Sequence, residues 1–292
     1  MNYIGETAAL GVSVFWTFSS VFFEKASHKI GSLTVNIIRL MLAVVFLGLT
    51  TLVTKGLFLP VDASAAQWFW LALSGIIGFF VGDLFLFKSY TLIGSRTASL
   101  MMSLSPMITA LVGWLFLSEQ LTLLNTLAVF VTVSGVIFAI AGKDMKLNVS
   151  PKGLLYAFGG AVGQALGLIL SKKGMGAYDA VASTQIRAIF GLICFAALIT
   201  VLKRWGKVTN SLVAGKEMVS VTLGTIFGPF IGVALALFSI QHTKTGIAAT
   251  LMALVPVLII LPSSIMFKER IKVQHIIGAV ICVAGVTLFF LG

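Results

Sequence analysis

The residue that most needs a chemical role is a carboxylate inside an apolar run. Asp83 lies in the run 67–88, and Phe79 and Phe80 before it and Phe87 and Tyr90 after it stand three or four residues apart. That spacing gathers them on one side of a helix. An ionisable group at such a place faces a partner, a wetted cavity or a ligand, because lipid does not solvate its charge. Two chemistries stay open for Asp83, which reads as the only acidic residue well within a helix. It binds a proton or a cationic group, or it pairs with Lys88 or Arg96 near the same membrane face. Two cations lie at comparable depth, Arg39 beside Asn36 and Arg187 beside Thr184 and Gln185. Each either binds carbonyls or caps a neighbouring helix, or it touches a substrate.

Two stripes of smaller polar groups accompany them. Ser13, Thr17, Ser20 and Glu24 recur at helical spacing beside Trp16, and Gly160, Gln164, Gly167 and Ser171 recur in the same way farther on. Such stripes line a wetted path or let helices approach closely, as Gly159, Gly163 and Gly167 invite. Trp16 and Gln164 are expected to face each other across a cavity. Prolines stand inside two further runs, in Ser103-Leu104-Ser105-Pro106 and Ala253-Leu254-Val255-Pro256. Each removes one backbone hydrogen bond and bares a carbonyl, so Pro106 and Pro256 are expected to act as hinges. Glu119 and Glu269 follow at equal distance and read as interfacial helix caps.

Enzymatic chemistry finds no foothold. His28, His242 and His275 are far apart, and Cys194 and Cys282 are isolated within apolar runs. No nucleophile–base set, metal box or carboxylate pair shares one depth, so no catalytic residue, metal or cofactor is expected. The Gly215-Lys216-Glu217 stretch lacks the glycine spacing and hydroxyl of a phosphate loop.

The elements that must hold these residues are membrane helices. Hydrophobic residues make up 59% of the 292 and charged residues 10%, too little polar surface to cover a soluble fold. The net charge of +11 sits in short segments between apolar runs. That distribution suits an anionic lipid face and excludes the basic stripe of a nucleic-acid partner. A bilayer core needs about 20 apolar residues per helix. Runs of that length are expected at 4–23, 34–54, 67–88, 96–117, 123–142, 152–171, 180–202, 217–239, 246–267 and 273–292. Leu57 to Ala66 would form an interfacial piece ending at Trp68 and Trp70, and Lys143 to Pro151 a linker.

The chain also repeats itself. A shift of 150 residues carries Gly78 onto Gly228, Gly82 onto Gly232, Pro106 onto Pro256 and Glu119 onto Glu269. Upstream the shift is 148 and carries Arg39 onto Arg187. Asp83 falls on Val233, so the acid belongs to one copy alone. Pro229 and Pro262 belong only to the second copy, whose helices should be the more distorted. Five helices per copy start on one face and end on the other, so the second copy enters inverted. The expected fold is therefore an all-α polytopic membrane protein of ten transmembrane helices, built as two inverted five-helix repeats over residues 1–145 and 146–292. Internal repeats of this kind are the architecture of many secondary transporters.

Orientation follows from the connections. Those after the odd-numbered runs hold fourteen Lys and Arg, and the opposite side holds Lys55, Lys172, Lys173 and Lys244. The bias places both termini outside a cell membrane, the inner one in a Gram-negative cell.

Arg39 within "NIIRLMLA", the run "LMMSLSPMITALVGWLFLSEQLT" and its echo "TLMALVPVLIILPSSIMFKERIK" resemble the EamA-type family of the drug/metabolite transporter superfamily. The resemblance spans nearly the whole chain. It implies an exporter of amino acids or related small metabolites, working by alternating access around a central cavity. Carried over, that cavity includes Trp16, Phe79, Asp83, Met101, Ser105, Gln164, Phe230 and Met252. An acid at position 83 departs from the aromatic cavities of aromatic-amino-acid exporters, which opens an alternative as an exporter of cationic compounds. A channel or lipid scramblase is a third possibility. Partners on this view are a small-molecule substrate, a proton or other ion, and the bilayer.

Overall fold

The computed structural model describes residues 3–105, 107–108, 112, 123–140, 149–213, 215–243, 248, 251–268 and 271–291. The chain enters as α1 (Ile4–Ile30) and turns at Gly31, whose φ of 88° suits a residue without a Cβ, into α2 (Ser32–Lys55). Residues 56–64 cross the surface to α3 (Ala65–Ser74). There Ser64 and Gln67 form a capping box that satisfies the first orphan N–H groups. A π-helical turn, Gly75–Gly82, carries α3 into α4 (Asp83–Met102). Gly94, at φ 74°, breaks α4 and lets Ser95 begin a new direction.

After α5 (Leu123–Ile140) come α6 (Pro151–Met175), α7 (Ala180–Val201), the short α8 (Trp205–Leu212) and α9 (Gly215–Thr225). A second π-helical turn, Ile226–Phe230, leads to α10 (Ile231–His242). The last elements are α11 (Val255–Leu258), α12 (Ile260–Phe267) and α13 (Val273–Leu291).

Among the described residues, six helical stretches are long and apolar enough to cross a membrane: Ile4–Ile30, Ser32–Lys55, Ala65–Met102, Pro151–Met175, Ala180–Val201 and Gly215–His242. Three shorter apolar helices cover Leu127–Ile140, Val255–Phe267 and Val273–Leu288. The protein is a helical membrane protein. The expected ten spans are not all present as such among the described residues. The run 96–117 appears only as its first turns, fused to α4 across the Gly94 break. Helix α8 lies where the sequence suggested only a connection. It is too short and too polar to announce itself, yet it buries Val208 while Trp205 donates to Thr200 Oγ1 at 2.9 Å.

The duplication reappears in the packing. The two π-helical turns stand at matching places of the repeat, Gly75–Gly82 against Ile226–Phe230. The longer one is in the first copy, which has no proline there, so Pro229 is not what sets the distortion. Helix α6 packs on the first π turn as α1 packs on the second. Ser74 Oγ donates to Gly167 O at 2.6 Å, and Ser19 Oγ donates to Gly224 O at 2.9 Å. Ser74 and Gly224 are repeat partners, as are Ser19 and Gly167. One interhelical contact has thus been built twice, with the hydroxyl on opposite members.

Glycines of the α6 stripe serve close approach. A Cβ on Gly167 would lie 2.9 Å from Gly78 Cα, and Gly163 abuts Gly82 more tightly still. The breaks before the two prolines match as well. Leu104 N bonds Met101 O at 3.1 Å, and Leu254 N bonds Leu251 O at 3.3 Å. Both are i→i−3 bonds, which tighten a helix into a 3₁₀ turn. Pro256 is buried just beyond its break. Pro106, Glu119, Glu269 and most of the 143–151 linker lie outside the described residues.

Candidate functional site

The first π turn ends where Asp83 begins, and its carboxylate is only 3% exposed. Both carboxylate oxygens are engaged. Arg39 Nη2, reaching from α2, forms an ion pair with Oδ2. Gln164 Nε2, reaching from α6, donates to Oδ1 at 2.8 Å. The partner is therefore Arg39, and neither Lys88 nor Arg96 as expected; Lys88 is exposed. Arg39 is itself fixed by Nε donating to Asn36 Oδ1 at 2.9 Å. Its guanidinium carbon lies 4.7 Å from the Phe87 ring centroid and 5.7 Å from that of Phe79. The buried Asn36 also reaches the backbone carbonyl of Asp83, at 3.4 Å.

Arg187 approaches the other side of Phe79, with its guanidinium carbon 4.5 Å from the ring centroid. It too is 3% exposed, and its buried Nε has no hydrogen-bond partner. One phenyl ring thus has two guanidinium groups near it, at the point where helices of both repeats meet a π turn. A buried charge costs several kcal/mol unless it is paired, which is why Asp83 and Arg39 stand together. Ionisable groups so placed in a membrane interior make this cluster the candidate site.

A cavity of about 940 Å³, lined by none of these charged residues, opens at the face where α2 and α6 end and α3 and α7 begin. Phe230 and Ile231 line it at the second π turn, and Ala234, Leu235 and Phe238 continue along α10. Phe230 meets the Phe46 ring at 5.6 Å. The mouth is crossed by a polar latch. Lys55 Nζ sits 3.2 Å from Asp62 Oδ2, Tyr178 Oη donates to Asp62 Oδ1 at 2.6 Å, and Lys55 stacks 4.5 Å over the Tyr178 ring. Gln241 Nε2 donates to Tyr178 O at 2.9 Å and ties α10 to the same turn. The Tyr178 hydrogen bond holds the Asp62 carboxyl below its usual range. Burial, and then Asp62 itself, push the Tyr178 phenol up.

Of the residues singled out from sequence, Phe79, Asp83 and Gln164 come together with Arg39 and Arg187, and Phe230 lines the cavity. Trp16 and Gln164 occupy equivalent places on different helices. Trp16 packs on Gly232, with its Cδ1 2.9 Å from where a Cβ would stand, whereas Gln164 passes Gly82, the repeat partner of Gly232. Met101, Ser105 and Met252 are half-buried beside the two 3₁₀ turns.

Glu24 was underrated: α1 runs on to Ile30, so this acid is also buried within a helix, at 4% exposure. Its Oε2 accepts from Ser95 N at 2.7 Å, so a carboxylate caps the helix that restarts after Gly94. The signal lay in Gly94-Ser95 itself, a glycine followed by a helix-starting residue.

The model of the EamA-like transporter family matches residues 3–141 and again residues 151–291. No curated protein matches the chain. A solved crystal structure is similar over 97% of this chain and 96% of its own, with a TM-score of 0.62 and 18% identity, which is a likeness of fold.

Proposed function

Since the chain belongs to the EamA-like transporter family, and so to the membrane transporters, we propose that it is a secondary transporter of a small organic metabolite. Amino acids and related compounds are the substrate class, export across the cell membrane is the direction, and a proton or another ion is the coupling partner. The observation that carries this reading is the buried Arg39–Asp83 pair with Arg187 at a π-helical turn, held by helices of both repeats. Binding there biases two packings of the halves, residues 1–145 and 146–292, if substrate favours one packing over the other. Phe79, Asp83, Gln164 and Phe230 form the inner wall of the site on this reading, and Trp16, Met101, Ser105 and Met252 the wall that moves. The 3₁₀ turns before Pro106 and Pro256 supply the hinges, because a broken i→i−4 ladder bends at lower cost than an intact one.

A cationic-compound exporter has less support, because the Asp83 charge already has a counter-ion in Arg39. The test is counterflow in proteoliposomes. Preloaded unlabelled solute should drive transient, saturable accumulation of the labelled solute. Flux that rises linearly with concentration and shows no counterflow identifies a channel and overturns the proposal.

A further inference from the structure

The two arginines of the cluster are not equivalent. Arg39 has a carboxylate, an amide oxygen and aromatic faces around it. Arg187 has the face of Phe79, and its Nε, buried from solvent, finds no acceptor. A guanidinium carries five N–H donors and no acceptor, and leaving such donors unmade in a buried place is costly. Asp83 lies near enough to feel that charge, but its hydrogen bonds run to Gln164 and Arg39 and the Arg187 Nε stays without an acceptor. Two cations and one anion leave the cluster one positive charge in excess.

We propose that Arg187 is the anchor for the carboxylate of the transported solute, and that the solute is a small organic acid. The proposal rests on the transporter reading. A planar guanidinium matches a carboxylate by two parallel N–H···O bonds. One excess charge matches a monoanion, where a doubly charged phosphate ester would demand a second cation. Ala180 lines the cavity, and Arg187 follows on the same helical stripe two turns deeper, about 10 Å along the axis, behind the fully buried Thr184. The rings of Phe79, Phe46 and Phe230 are at hand for an apolar body. An ammonium group offers no acceptor to the unpaired Arg187 donor, so an amine alone does not satisfy this anchor.

The full-length protein, purified in detergent, is unfolded thermally with phenylacetate, L-phenylalanine and succinate, and with phenylacetamide and phenethylamine as partners lacking the carboxylate. Phenylacetate should raise Tm, and the amide and the amine should not. R187Q should leave the ligand-free Tm at or above that of the parent, because an unmet buried charge has been removed. It should weaken phenylacetate binding about ten- to a hundredfold, with R187K recovering part of the loss. A fall in ligand-free Tm or failure to fold in R187Q makes Arg187 a structural residue and overturns the proposal. Stabilisation by the amide or the amine equal to that by the acid, or by no acid in the panel, overturns it too. Solute exchange in proteoliposomes separates the two levels. Exchange of amines without acids removes the carboxylate anchor and leaves a transporter, whereas exchange of neither class removes both.

Discussion

Replacing Arg39 by methionine tests how the cluster is balanced. The substitution leaves the buried Asp83 carboxyl without its ion-pair partner, with Gln164 as its remaining direct hydrogen-bond donor. Removing one partner of a buried ion pair costs about 3–5 kcal/mol, because the other charge remains without compensation. The same change takes the guanidinium from the Phe87 face, 4.7 Å away, worth about 0.5–2 kcal/mol. In R39M/D83N both charges are gone and only the stacking loss remains. The second substitution should therefore restore about 2–4 kcal/mol of what the first removed. Unfolding free energies of the parent, both single variants and the double variant, measured by denaturant titration in mixed micelles, give that coupling directly. A double variant no more stable than R39M, to within about 0.5 kcal/mol, refutes the claim that the pair balances its own desolvation.

Further outcomes follow from the packing and the latch. In G163A the new methyl meets Gly82 across the α6–π contact, so stability should fall by about 1–3 kcal/mol in the same titration. G206A, whose Cβ meets nothing within 4 Å, should stay near the parent. At the cavity mouth the Asp62 pKa is depressed, so its latch is present above the ordinary carboxylate pKa and is lost as pH falls through the lowered value. Y178F removes the largest cause of that depression. The Asp62 titration, followed by NMR of a labelled carboxylate, should therefore move up toward the ordinary value of about 3.9. P106A and P256A should slow counterflow more than they weaken solute binding; unchanged rates in both reduce the prolines to packing features.

Several parts of this architecture are legible in the sequence because they are local and occur twice. Gly78 and Gly82 with their partners Gly228 and Gly232, and the proline-bearing breaks, fall on a shift of 150 residues, and Gly11 and Gly159 on one of 148. Asp83 and the two arginines stand out because each is too costly to leave in lipid alone. Their pairing does not, since the bond from Arg39 to Asp83 spans 44 residues and no spacing rule covers tertiary partners. The nearest cations in sequence, Lys88 and Arg96, were the obvious candidates, but the carboxylate turns inward, toward α2 and α6. Glu24 was misplaced because the apolar run weakens before the helix does, and the cap it supplies becomes visible only once Gly94 breaks the opposing helix.

The central claim is that two packings of the halves exchange around this site. Spin labels at Ala66 on α3 and His242 at the end of α10 stand on opposite repeats near the cavity mouth. Their distance distribution in lipid nanodiscs is the most direct test. A solute that supports counterflow should shift population from the distance between these positions in this structure to a second, distinct distance. A single distribution, unchanged at saturating solute, contradicts alternating access.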